Sequence, residues 1–536
     1  MAEKTVNNND QQQPKEIEEN NTENLQDGFI IEGHTQQDRA DMSRMGKIQQ
    51  LKRNYRSISA LAFTVILQGV WEVLLTASYQ GLVNGGPAGL IWGFIWTWFG
   101  MSSVILSLAE MASIAPTAGG QYHWVSEFSS GGIQKPLSFW VGWMSTLSWQ
   151  AGTASGPFLV GTLIQGSVVL GRSEYVPENW HGTLIVIGVT VVVWAGNVYC
   201  GRWMPLFQNI MLGFHVFGFV VLVSVFWVLS PHATPRETFL QFPIDSAGWT
   251  SSTGLSLMVG QISAIYACIC SDSSAHLSEE ISSASTTVPK AIIHSYLLNG
   301  LLGLVFIITY AFTFPPSILP EALAHPTGYP HLHILSLALP NHPGIVILLN
   351  QIPTILIFAG TLSFALSTSR QTWAFARDKG LPFSSWLSKV DSRLHTPKNS
   401  ITLTCGITIL LSLINIGSDV AFNAIISLNL VSLMLTYIVS ISAVLYKRVT
   451  DTTTTFSSPW SLGKYGKWVN VMGIMYSVHA FFWCFWPEGP DVTLQTFNWA
   501  VVMFLGVGGL CWVDYLVRGR KVYEGPVVLV EGYKAE

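Results

Sequence analysis

The chain has 536 residues, of which 49% are hydrophobic and only 11% charged, against roughly 25% charged in an ordinary soluble domain. That balance excludes a soluble enzyme of this length and also a disordered scaffold, which needs the opposite composition. The net charge of −4, from 27 Lys and Arg against 31 Asp and Glu, offers no basic surface for nucleic acid. Twenty-one Trp and 28 Phe suit a chain whose rings crowd a membrane interface.

Residues 1–54 are polar, rich in Asn, Gln and Glu, and read as a disordered cytosolic tail. No cleavable signal peptide fits there, because the first apolar run starts only near Ser57. Lys4 and Lys15 are candidate acceptors for a ubiquitin ligase, or simply solvated lysines.

About twelve apolar runs of ~20 residues, enough to cross a bilayer, follow near 57–80, 88–109, 137–168, 183–200, 206–229, 253–271, 291–314, 344–369, 400–418, 420–446, 468–486 and 495–513. The ninth and tenth form a hairpin about Gly417–Asp419. Strands are excluded, since open sheet edges cannot be satisfied in lipid. With both termini inside, only Arg172 and Arg236 of the 27 Lys and Arg fall on the outer side, the bias that orients membrane proteins. The expected division is a tail over 1–54, a twelve-helix domain over 55–515 and a cytosolic C-terminal tail over 516–536.

Glu72, in the first run, is the one carboxylate well inside a span. A carboxylate at mid-bilayer costs ~2.5–3.5 kcal/mol even on lenient insertion scales, so it faces a cavity or a partner. A site role and an interhelical ion pair are both open. In Gln68-Gly69-Val70-Trp71-Glu72 an amide, a glycine, a large ring and an acid fall within about one helical turn. Gly69 makes local unwinding cheap, and Trp71 offers either a π face to a cation or plain packing. Asp272, where polar density rises after the sixth run, either lies in a broken helix or caps the segment that follows.

His215 in the fifth run and His479 in the eleventh are the deep histidines. Histidine titrates near neutral pH, which makes His215 a candidate for proton coupling. His325, His331, His333 and His342 share an outer loop and read as solvated rather than as a metal site. The six cysteines, Cys200, Cys268, Cys270, Cys405, Cys484 and Cys511, make no disulfide framework or metal quartet. The loop Pro116-Thr-Ala-Gly-Gly-Gln-Tyr-His-Trp124 turns tightly into an interfacial or re-entrant helix. No Ser–His–Asp arrangement, Walker loop, zinc signature or dinucleotide fingerprint is present. No enzyme activity, cofactor or resident metal is therefore expected.

Four pieces of the chain resemble the amino acid–polyamine–organocation superfamily, in its fungal branch of amino acid, choline and GABA permeases. The second run and its loop carry Asn84-Gly-Gly-Pro87 and Glu110-Met-Ala-Ser-Ile-Ala-Pro-Thr-Ala-Gly-Gly-Gln-Tyr-His-Trp124. The third carries Gly142-Trp143 and Trp149-Gln150. The sixth exits through Asp272, His276-Leu-Ser-Glu-Glu280 and Val288-Pro-Lys290. The eighth exits through Ser369-Arg-Gln-Thr-Trp-Ala-Phe-Ala-Arg377-Asp378-Lys-Gly-Leu-Pro382. The resemblance spans roughly residues 50–515. It implies an all-α membrane protein built from five-plus-five inverted repeats and two further helices, with helices 1 and 6 broken around the substrate. It places the first break on Gln68 to Glu72, the second on Ala267 to Cys270 and a substrate-facing aromatic on Tyr266.

The family's first break exposes backbone N–H groups to a substrate carboxylate. Here an acid stands beside it, and an acid attracts an amine or quaternary ammonium instead. The reading is a secondary transporter, a proton symporter that imports choline, GABA, a polyamine or an amino acid across the plasma membrane, with the vacuolar membrane as the other possible home. Gln68, Gly69, Trp71, Glu72, Tyr266, Cys270 and Asp272 are the expected substrate-binding residues, with Trp71 and Tyr266 as walls and backbone groups freed at Gly69 holding the far end. Glu72 and His215 are the coupling candidates. The alternatives are a transport-inactive nutrient sensor of the same fold, or a membrane-embedded enzyme, for which His215 and His479 lack polar partners nearby in sequence.

Overall fold

A computed structural model describes residues 35–526 apart from 173, 244–247, 250–251, 417–420, 451–457, 495 and 524. Among these residues the chain is helical, with one isolated bridge between Tyr55 and Ile281 in place of any sheet. Eleven helices are long and apolar enough to cross a membrane. They begin with spans 1 (Ser57–Thr76), 2 (Tyr79–Ile114), 3 (Gly131–Gly171), 4 (Asn179–Tyr199) and 5 (Gly201–Leu229). Spans 6 (Thr253–His276), 7 (Ala284–Phe312), 8 (Pro343–Arg377), 9 (Lys398–Ile416) and 10 (Asn423–Thr450) follow, and span 12 (Ala500–Val522) closes the set. The expected eleventh run is also a helix, Gly466–Trp483, but its 18 residues are less apolar. The turn between spans 9 and 10 at Gly417–Asp419, and Lys4 and Lys15, lie outside the described residues.

Spans 1 and 6 break at corresponding places, as two inverted halves require. Span 1 is interrupted at Gly69, whose φ of 46° and ψ of 51° are left-handed. Span 6 stops at Cys268, continues through an extended Ile269 and places Cys270 at a φ of 66°. That conformation is uncommon without glycine. Packing therefore imposes on Cys270 the bend that glycine supplies in span 1.

Part of the segment expected to be disordered, from Thr35 onward, is folded. Residues Gln36–Arg44 form a helix capped by Thr35 and Asp38, and Met42 and Met45 are buried. The Asp38 carboxylate accepts from the N–H groups of Ser283 and Ala284 at 2.9 and 3.0 Å and pairs with Arg53 at 3.2 Å. It caps the start of span 7, where an acid meets the positive end of the helix dipole. A polar segment with few apolar residues is thus ordered by charge and capping rather than by a core of its own. At the other end, helix continues to Val522 and Tyr523 is buried, so the boundary expected at residue 516 falls inside the last helix. The outer histidines are not all solvated either. His331 is buried in the helix Pro330–Ala338, with Nε2 3.1 Å from Asn350 Oδ1.

Candidate substrate and coupling site

The two breaks face each other across a cavity of about 50 Å³. Span 1 contributes Gln68, Gly69 and Glu72, and span 6 contributes Tyr266, Ile269 and Cys270. Spans 3 and 8 close it with Ser155, Gly156, Thr361 and Phe364. Tyr266 Oη and Ser155 Oγ are 2.7 Å apart, which joins span 6 to span 3 on one wall.

Glu72 is buried at its centre. Its Oε1 lies 2.6 Å from His215 Nδ1 of span 5, which is equally buried. Its Oε2 and His215 Nε2 find no hydrogen-bond partner among the described residues. Gln68 Oε1 accepts from Asn299 Nδ2 at 3.1 Å, and the Gln68 Nε2 amide finds no partner among the described residues. Buried polar groups are nearly always paired, so the unpaired Glu72 and Gln68 atoms, both on residues that line the cavity, mark where a ligand or water completes the set.

Gly69 differs from expectation in one respect. Its N–H donates to Val65 O and its carbonyl accepts from Val73 N, both at 2.9 Å. The groups released by the break are those of its neighbours, the last carbonyls of Ser57–Gln68 and the first N–H groups of Val70–Thr76. An alanine Cβ at position 69 would lie 3.4 Å from Glu72 Oε2, and a left-handed alanine costs ~1–2 kcal/mol. Gly69→Ala is expected to lose most uptake while the thermal midpoint of the purified protein falls only modestly. Uptake and melting measured on the same preparations check this.

Trp71 and Asp272 do not line this cavity. Adjacent helical residues point about 100° apart, so Glu72 facing inward turns Trp71 away. Its ring packs on Phe306, His215 and Phe219 at 5.2, 5.7 and 6.4 Å. Trp71 is core, not an aromatic wall for a cation. Asp272 begins the turn Ser273–His276 without a side-chain cap. Its carboxylate accepts instead from Gln121 Nε2 and, at 2.7 Å, from Tyr437 Oη. It ties span 6 to the loop after span 2 and to span 10. His479 is partly buried and bonds Gln261 at 3.0 Å.

The cytosolic end is sealed by charges to which sequence reasoning assigned no role. Arg377 grips Glu279 through two hydrogen bonds of 2.8 Å, and Arg370 Nε donates to Glu280 at 2.6 Å. Lys47 pairs with Asp378, which also accepts from Tyr122 Oη at 3.0 Å. His276 Nδ1 lies 2.9 Å from Ala118 O, and Gly120, at a φ of 54°, leaves no room for a Cβ against the His276 ring. The available signal was opposite charge at the cytosolic exits of spans 6 and 8. Outside Tyr266, by contrast, an outer vestibule of about 410 Å³ opens. The conformation is therefore outward-facing.

Burial raises the Glu279 carboxyl, but Arg377, Lys47 and the Ala118 N–H outweigh it and hold it below the usual glutamate value. A depressed carboxyl contributes stability above its unfolded value and loses it as pH falls through the folded one. The thermal midpoint is expected to be flat above about pH 5 and to fall below about pH 4. Glu279→Gln should lower the plateau and flatten that decline in a melting series across pH.

The discontinuous spans 1 and 6 around a mid-bundle cavity define a multi-pass membrane transporter. An apolar helical fold of this kind is shared with a manganese transporter of Eremococcus coleocola, at a TM-score of 0.51 and 13% identity over 87% of this chain and 95% of that one. In sequence, the amino acid permease family matches residues 54–507. The amino-acid permease BAT1 of Arabidopsis thaliana is 30% identical over 91% of the chain and 95% of its own length. The choline transporter of Saccharomyces cerevisiae is 24% identical over 88% and 83%. The chain belongs to the amino acid permease family, and it is a permease rather than an enzyme.

Proposed function

We propose that the protein is a proton-coupled importer of a small nitrogenous solute, of the choline, GABA, polyamine or amino acid kind, with Glu72 and His215 as its coupling pair. The observation that carries this reading is the buried Glu72–His215 contact, with one carboxylate oxygen on the imidazole and the other facing the cavity. An acidic exterior loads a proton on the pair, and Glu72 Oε2 takes the ammonium end of the solute. Gln68, Gly69, Tyr266 and Cys270 shape the remaining wall. Opening toward the more alkaline cytosol releases both.

The similarity to a choline transporter supports a solute with a positive nitrogen. The plasma membrane is the proposed location, and the N-terminal tail with Lys4 and Lys15 the proposed target of a ubiquitin ligase. Radiolabelled choline, GABA, putrescine and arginine, offered to a permease-deficient yeast at pH 5 and pH 7, test the reading. Saturable uptake of one solute, stronger at pH 5, is expected. Uptake of none by protein shown to be at the cell surface overturns it.

A further inference from the structure

The central cavity of about 50 Å³ has room for a few waters but not for a trimethylammonium group. In this conformation a solute fits only in the vestibule outside Tyr266, whose volume of about 410 Å³ matches that of small-molecule sites. Tyr266 lines both spaces and so forms the partition between them.

The vestibule has a definite chemistry. Among the described residues that line it, Glu488 is the only one carrying a charge, and there is no Lys or Arg. Glu488 sits in the segment between Gly466–Trp483 and span 12. Asn423 Nδ2 of span 10 donates to its Oε1, and Gln80 of span 2 hydrogen-bonds its carboxylate too. Its backbone carbonyl accepts from Trp249 Nε1 at 3.3 Å and from Asn84 Nδ2 at 3.4 Å. Residues of three elements thus hold Glu488 in place over the vestibule, two by its carboxylate and two by its backbone carbonyl. Burial pushes the Glu488 carboxyl above the ordinary range against the pull of Gln80 and Asn423, the signature of an acid with no cation of the protein beside it. Trp483 and Trp486, 5.0 Å apart with planes 36° from parallel, line the same space with Tyr79. A carboxylate beside aromatic faces attracts cations and repels anions.

We propose that Glu488, Trp483, Trp486 and Tyr79 form an outer binding site for an organic cation, which captures an ammonium or quaternary ammonium solute before it passes Tyr266. The proposal rests on the amine-importer reading for its purpose, but it is tested by binding rather than by uptake. Purified full-length protein is titrated calorimetrically with choline, with putrescine and with 3,3-dimethylbutan-1-ol, the uncharged carbon isostere of choline. Wild type is expected to bind at least one of the two cations and not the isostere. Glu488→Gln should weaken cation binding about tenfold, and Glu488→Asp, which retains the charge, should recover part of the loss at an unchanged melting temperature. Equal binding of the isostere, wild-type affinity in Glu488→Gln, or no cation binding to wild type would each overturn the outer site. Proton-stimulated uptake could survive any of these results, so failure here is distinct from failure of the coupling pair.

Discussion

Glu72→Gln is expected to abolish concentrative uptake and to erase any difference between pH 5 and pH 7, while the protein still reaches the cell surface. The glutamine is isosteric, and its carbonyl oxygen can accept from His215 Nδ1 across the same 2.6 Å contact. What disappears is the carboxylate, and with it the proposed attraction for an ammonium group. His215→Ala is a different experiment, because it leaves a buried carboxylate without a partner. Breaking a buried pair in this way costs ~3–5 kcal/mol, so poor expression is expected there. His215→Asn keeps a donor and removes the titration, and its uptake should persist without pH dependence. Surface biotinylation with paired uptake at both pH values checks all three. Wild-type, pH-stimulated uptake by Glu72→Gln would remove the pair from the mechanism.

The second large effect is expected at the cytosolic seal. Arg377→Gln leaves Glu279 buried without its bidentate partner, again at a cost of ~3–5 kcal/mol. Glu279 joins the chain just beyond span 6 and Arg377 ends span 8, so the loss falls on the contact that holds those spans together inside. The conformational balance should move toward an inward-open state. Cys270, buried on the cavity wall at present, reports on it. A membrane-permeant maleimide should modify Cys270 much faster in Arg377→Gln than in wild type, as read by peptide mass spectrometry. The exchanged pair Arg377→Glu with Glu279→Arg should slow it again. Unchanged labelling in a folded Arg377→Gln protein would show that this pair is not part of the closure.

Much of the architecture was legible because bilayer thickness and the placement of Lys and Arg leave few alternatives. The breaks were legible too, at Gly69 from the residue type and at Cys270 only through resemblance, since nothing in Ala267 to Cys270 marks a left-handed turn. What escaped the sequence was phase and distance. Trp71 sits beside Glu72 in the chain, but which of them faces inward depends on the helix rotation set after Gly69. The partner of Glu72 lies 143 residues away in an otherwise apolar helix, where no local pattern announces it. The Asp272, Glu279-Glu280 and Arg377-Asp378 segments served to mark resemblance, yet they and Tyr122 all converge on one seal, and only the folded chain shows it.

The segment from Thr35 to Lys47, a strap that fastens to the cytosolic ends of spans 7 and 8, bears on the order in which the protein is made. Asp38 waits for Ser283, 245 residues downstream, and Lys47 waits for Asp378, 331 residues downstream. At about 5–20 residues per second, the longer of these separations leaves roughly 15–70 s during which the first eight spans enter the bilayer with their cytosolic clasp unfastened. The strap is born first and docks last. Its docking thus requires that span 8 has already been inserted the right way round, and a chain with a missed or inverted span would keep its N-terminal segment loose in the cytosol.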